Sequence, residues 1–228
     1  MNNHLEYCVD IVFCIDTTGS MGPLLDKVKK HALNFYHDLK NEMMQKGKNI
    51  NCLRAKIVAF KDYLADKEDA MLVTDFYELS ENSSDFDSVI NGLYPSGGGD
   101  EPEDALEALA YAIKSKWTKA GDKRRHLIVV WSDASTHPLG FSSSSAFYPR
   151  NMVKDFDELT NLWDGDPEDG GCMDENAKRL LIFAPEAEYW TTIADTWDNV
   201  IHFPSSAGDG LDRLSYAEIM SQIVNSLA

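Results

Sequence analysis

Apolar runs of strand length alternate along this chain with stretches whose apolar residues recur every three or four positions. Residues 7–15 are apolar except for Asp10, as expected of a central strand covered on both faces. From Met21 the spacing changes. Met21, Leu25, Val28, Ala32, Tyr36, Leu39 and Met43 follow helical steps, and Gly47 ends the pattern. Residues 54–60 and 70–77 read as two further strands. Their short link predicts a hairpin whose second member lies antiparallel at the sheet edge.

A helix over 84–93 is followed by the loop Pro95-Ser96-Gly97-Gly98-Gly99-Asp100. The spacing then predicts a helix over 102–117 that buries Leu106, Leu109, Ile113 and Trp117, with Pro102 in its first turn, where no backbone donor is needed. Strands over 126–132, 179–184 and 200–203 and helices over 186–196 and 211–227 complete the alternation. The pattern predicts an α/β fold, a doubly wound, mostly parallel six-stranded sheet with one antiparallel edge strand and helices on both faces. No repeat or linker divides the chain, so one domain is expected over 1–228. An insert at about 137–178, with a helix over 153–163 and an acidic turn over 164–171, breaks the rhythm. So long an excursion from the carboxyl end of a central strand marks a place where open α/β sheets carry sites.

Composition narrows the partners. Of 228 residues, 43% are hydrophobic, enough for a well-buried core, while the net charge of −17 repels nucleic acid and anionic membranes. The amino-terminal residues show neither the basic region nor the small-residue cleavage site of a signal peptide. Cys8 and Cys14 share a strand face too far apart to bridge, and with Cys52 and Cys172 they form no CxxC pair. Reduced thiols in a cytoplasmic protein are the expectation.

Three clusters carry candidate chemistry. The first is Asp16-Thr17-Thr18-Gly19-Ser20, where a strand ends before a helix. In an extended turn Asp16, Thr18 and Ser20 point the same way, and three hard oxygens suit Mg²⁺ or Mn²⁺, with Ca²⁺ also possible, better than zinc or copper. Ser20 as a helix cap is the plainer reading of the same residues. The second is Gly97-Gly98-Gly99-Asp100-Glu101-Pro102-Glu103, whose glycines let backbone turn tightly against a ligand and set Asp100 at a helix mouth. The third is Trp131-Ser132-Asp133-Ala134, a buried strand ending in a carboxylate. Each lies at the carboxyl end of a predicted parallel strand or in the loop beside one. Acidic groups brought so close repel one another unless a cation sits between them.

On these residues the chain resembles the von Willebrand factor type A (vWA) family and its metal-ion-dependent adhesion site. The family's Asp-x-Ser-x-Ser stands here as Asp16, Thr18 and Ser20, and its strand-four Asp as Asp133. Counting back from Ala105-Leu106, Asp100 occupies the place of the family's loop Thr. The resemblance implies one divalent ion, held by Asp16, Thr18, Ser20, Asp100 and Asp133, that accepts a Glu or Asp side chain from a protein partner, without catalysis. A carboxylate at Asp100 adds negative charge where the family has a neutral hydroxyl.

Rival readings carry less. A metal-dependent hydrolase or phosphatase needs cationic groups for its substrate, and Lys61 is the nearest candidate. A regulatory subunit of a multi-protein enzyme system is the third alternative. Asp164, Asp166, Glu168 and Glu175 echo a calcium loop, but Asp169 fills the position that requires Gly. Asp62 reads either as support for the site or as a turn residue, and His126 and His202 read as structural. Phe141, Phe147, Tyr148 and Trp163 make the insert the expected recognition element.

Overall fold

Residue parity along the first strand sets the architecture. β1 (Tyr7–Asp16) is buried along its whole length. Tyr7, Val9, Ile11, Phe13 and Ile15 enter one apolar core, whereas Val12 and Cys14 enter another, because successive strand residues face opposite sides of the sheet. The computed structural model describes residues 5–99, 101–165, 172–205 and 215–228. Within them β1 is followed by α1 (Gly22–Gln45), β2 (Cys52–Phe60), β3 (Met71–Val73), β4 (Tyr77–Glu78) and α2 (Ser83–Gly92). Then come α3 (Ala105–Ile113), β5 (Lys123–Trp131), α4 (Phe156–Asp164), β6 (Lys178–Pro185), α5 (Glu188–Thr196), β7 (Val200–Ser205) and α6 (Tyr216–Leu227).

The sheet order is β3-β2-β1-β5-β6-β7, parallel except where β3 and β4 run antiparallel to β2. α1, α2 and α6 contribute Leu25, Phe86 and Ile223 to the first core. α3, α4 and α5 contribute Leu109, Trp163 and Trp190 to the second. Helices therefore cover both faces. Each fully buried aliphatic or aromatic side chain adds roughly 1.5–3 kcal/mol. The one polar break in β1 is satisfied: Arg54 Nε and Nη2 donate to Asp10 Oδ1 and Oδ2 (2.8 and 2.6 Å), and Thr118 N donates to Oδ2. Along the sheet, β2 lies on one side of β1 and β5 on the other, so the order reverses at β1. The crevice beyond the ends of β1 and β5 is the switch point at which such folds bind ligands.

Several expectations are corrected. The edge strand over 70–77 is two pieces, because Thr74 Oγ1 takes the Ile57 N–H that a continuous ladder would have engaged. α3 starts at Ala105, leaving Pro102 outside it. Glu103 N donates to Ser135 O and His137 N to Glu103 O, so this stretch is extended alongside the chain that follows β5. The expected four reduced thiols are two: β1 and β2 pair Cys8 with Cys52 in register, and the two form a disulfide, leaving Cys14 and Cys172 free. α4 begins at Phe156, with Asp155 Oδ1 accepting from Glu158 N. α6 begins at Tyr216 behind the Ser215–Glu218 capping box. The predicted acidic turn and its calcium-loop echo fall largely on 166–171, outside the described residues. Among the described residues no helix is long and apolar enough to cross a membrane.

Candidate metal site at the carboxyl edge of the sheet

β1 delivers Asp16 to the switch point, fully buried. The turn that follows folds back on it. Thr18 N and Thr18 Oγ1 both donate to Asp16 Oδ1 (2.9 and 2.6 Å), and Ser132 Oγ donates to Oδ2 (2.8 Å). Ser20 Oγ lies 3.3 Å from Thr18 Oγ1 and donates to Asp133 Oδ1 across 3.2 Å. Ser20 therefore does not cap α1, whose first residues follow a short 3₁₀ turn and carry no side-chain cap. Asp16, Thr18, Ser20 and Asp133 stand together. Asp100 lies outside the described residues.

The glycine loop closes the other side. Ser96 N donates to Thr17 O and Gly19 N to Gly97 O, which joins the loop to the turn after β1. Gly97 and Gly98 have φ of 70° and 90°. A Cβ on Gly97 would lie 1.7 Å from Asp66 Oδ1, and one on Gly98 would lie 2.6 Å from Thr18 Cγ2 and 2.8 Å from Glu103 Oε1. These glycines therefore serve close packing against the protein's own side chains, where the sequence suggested a ligand. Gly98 N also donates to Asp66 Oδ2.

Carboxyl groups that sequence reasoning passed over surround this core. Glu103, Asp104 and Glu107 are all buried. Asp104 accepts from Tyr63 N and Ser142 Oγ, and Glu107 Oε1 accepts from Gly140 N and Tyr148 Oη. Their signal in the chain is position: Glu103 and Asp104 immediately precede the apolar run that opens α3 with Ala105-Leu106, and Glu107 lies within it. Asp62 is the turn residue of one of its two readings, accepting from Leu64 N and Ala65 N, and it faces His137 Nε2 at 3.2 Å. His126 is structural, with Nε2 on Thr118 O and its ring stacked on Trp117, and His202 Nε2 meets Ala184 O.

Burial dominates the electrostatics. The Asp16 carboxyl is pushed up to about 6 by desolvation, against the pull of its hydrogen bonds to Thr18 and Ser132. Glu103 is pushed up to about 9 by burial, then by the charges of Asp16, Asp62, Asp66 and Asp104. Both shifts chiefly express the burial of a carboxyl, with neighbouring carboxylates adding to that of Glu103, and a cation relieves both. The donors are oxygens throughout, a hard set that fits a Mg²⁺-class ion. Among the described residues no three carboxylate, imidazole or thiolate groups at this edge lie within 4.8 Å of one another.

The family model of the von Willebrand factor A domain matches residues 10–137, from the middle of β1 to just past Asp133. The alpha-protein kinase vwkA of Dictyostelium discoideum is 23% identical over 158 residues, which are 68% of this chain and 23% of that protein. The pilus adhesin SpaC from Lactobacillus rhamnosus GG superposes on all of this chain and 31% of its own with a TM-score of 0.57 at 8% identity. Proximal thread matrix protein 1 from the mussel byssus superposes with a TM-score of 0.51 at 13% identity, covering 98% of this chain and 46% of its own. The chain thus spans less than half the length of each. At such identities the two structures speak for the fold alone.

Proposed function

The chain belongs to the von Willebrand factor A domain family, and from that premise we propose that it is a divalent-metal-dependent protein-binding module and not an enzyme. Asp16, Thr18, Ser20 and Asp133, with Asp100, hold one Mg²⁺ or Mn²⁺ ion. The hydroxyls of Thr18 and Ser20 approach it directly, and Asp16 and Asp133 orient them or its water. An open position on the ion takes a Glu or Asp oxygen from a protein partner. The observation that carries this reading is the Ser20–Asp133 contact, which joins a hydroxyl from the β1 turn to the carboxylate after β5 beside Thr18. We read residues 1–228 as one such domain, with 137–178 as an insert beside the site. Phe141 and Phe147 of that insert are about half exposed, whereas Trp163 is fully buried. The two phenylalanines are therefore its recognition side chains, and Trp163 belongs to the core.

The hydrolase alternative relies on Lys61 as its candidate cation, and that lysine is buried with Nζ donating to Ser96 Oγ at 2.9 Å. A direct test uses Mn²⁺-loaded protein and sodium acetate as the probe. Acetate should displace metal-bound water, seen as a fall in water-proton relaxation, and EDTA should abolish the effect. The same sample should leave p-nitrophenyl phosphate intact. Metal-dependent phosphate release, or no acetate response, would overturn the assignment.

A further inference from the structure

The buried carboxyls at this edge differ in how they are satisfied. Asp16, Asp62 and Asp104 each accept at least two hydrogen bonds from the chain, and Glu107 accepts two on Oε1 while its Oε2 meets no donor. Glu103 is 2% exposed, and its Oε2 meets no donor. Its backbone is clamped on both sides, with Glu103 N on Ser135 O and its carbonyl accepting from His137 N and Thr136 Oγ1. Its Oε1 is packed beside Gly98, on the side of that glycine where Thr18 also lies. The charges that act on it, Asp16, Asp62, Asp66 and Asp104, are all negative. A buried acceptor without a donor is costly unless something outside the chain supplies positive charge or a hydrogen.

We propose that Glu103 is a further carboxylate of the metal site, with Oε2 facing the ion or accepting hydrogen bonds from its bound water. The inference rests on the reading of a metal site at Thr18 and Ser20. It gives the site a carboxylate fixed by backbone pairing to the segment after β5, in addition to those on the strand ends. Its consequence is retention: the ion is held more tightly than by the strand-end residues alone.

The experiment is calorimetry of Mg²⁺ and of Mn²⁺ against wild type, Glu103→Gln, Glu103→Asp and Asp16→Ala, with the metal-free melting temperature of each. Groups that orient a metal's ligands or water typically contribute ten- to a hundredfold in affinity. Glu103→Gln should therefore bind at least about tenfold more weakly. Its metal-free melting temperature should hold or rise, since an amide keeps the shape and can donate toward the surrounding carboxylates where Oε2 meets no donor. Glu103→Asp, which keeps the charge, should recover part of the affinity. Wild-type affinity in Glu103→Gln overturns the proposal, as does equal loss in Gln and Asp variants accompanied by lower metal-free stability. If wild type binds no metal, or Asp16→Ala binds as well as wild type, the metal-site reading itself fails.

Discussion

Ser20 and Asp133, 113 residues apart in sequence, are joined by a 3.2 Å hydrogen bond across the ends of β1 and β5. That contact spans the point where the strand order reverses, and it brings a hydroxyl of one loop to the carboxylate of another. The site is thus assembled from two strand ends whose positions are fixed by a sheet buried on both faces. The loops supply chemistry, and the β1–β5 ladder supplies the registration.

Gly98→Ala tests the packing of the glycine loop. The new methyl would meet Thr18 and Glu103 at 2.6–2.8 Å on a backbone with φ of 90°. Loss of about 1–3 kcal/mol of stability is expected, together with weaker Mg²⁺ binding, because Thr18 must move. Urea denaturation and calorimetry on the same variant check both. A variant as stable as wild type with unchanged affinity would show that the loop does not brace Thr18.

The pH dependence of stability follows from Glu107. Burial, then the charge of Asp104, pushes its carboxyl from an ordinary 4.5 up to about 7. A carboxyl raised on folding binds more protons in the folded state. Its unfavourable effect is therefore absent below about 4.5, grows as pH rises to about 7 and is then constant. The slope in that window is up to about 1.4 kcal/mol per pH unit for one proton. Asp16, raised to about 6, and Glu103, raised to about 9, act in the same sense. Metal-free protein should be more stable near pH 5 than near pH 7, and Glu107→Gln should reduce that difference. Urea melts at both pH values measure it.

Thiol counting tests the pairing of the first two strands. In denaturant without reductant two thiols should react, Cys14 and Cys172. Cys52→Ser should lower stability by about 2–4 kcal/mol, since the bond closes a loop between residues 44 apart. Four reactive thiols would contradict the bond.

Much of this was legible in the chain. Asp16, Thr18, Ser20 and Asp133 could be found because each follows an apolar run whose end fixes where the residue must lie. Ser132 could not, since a serine at the end of a buried strand gives no sign that its hydroxyl turns to Asp16. Cys8–Cys52 needed the register between parallel strands, which a local pattern does not contain. The broken edge strand turned on one Thr74 hydroxyl replacing a backbone partner. Glu103 and His137 are brought into the neighbourhood by the pairing of residues 103 and 136, a tertiary contact between two loops.

Asp100 has a separate test. Replacing it with Thr, as the family pattern has it, removes a negative charge from the loop of the metal site. A charge contact near a protein surface is worth about 4 kcal/mol at an effective dielectric of 20, so a fraction of it is measurable. Asp100→Thr should bind Mg²⁺ more weakly and acetate more tightly at saturating metal, and Asp100→Asn should follow it. Wild-type behaviour in both variants would leave Asp100 without a role in setting the site's charge.

Mg²⁺ calorimetry on wild type, Asp16→Ala and Ser20→Ala tests the central claim most directly. Wild type should bind one ion. Asp16→Ala should abolish binding, because it removes the acceptor that holds Thr18 and Ser132. Ser20→Ala should weaken it at least about tenfold while leaving metal-free stability within about 1.5 kcal/mol. Unchanged Mg²⁺ binding in both variants would contradict a metal site at the ends of β1 and β5.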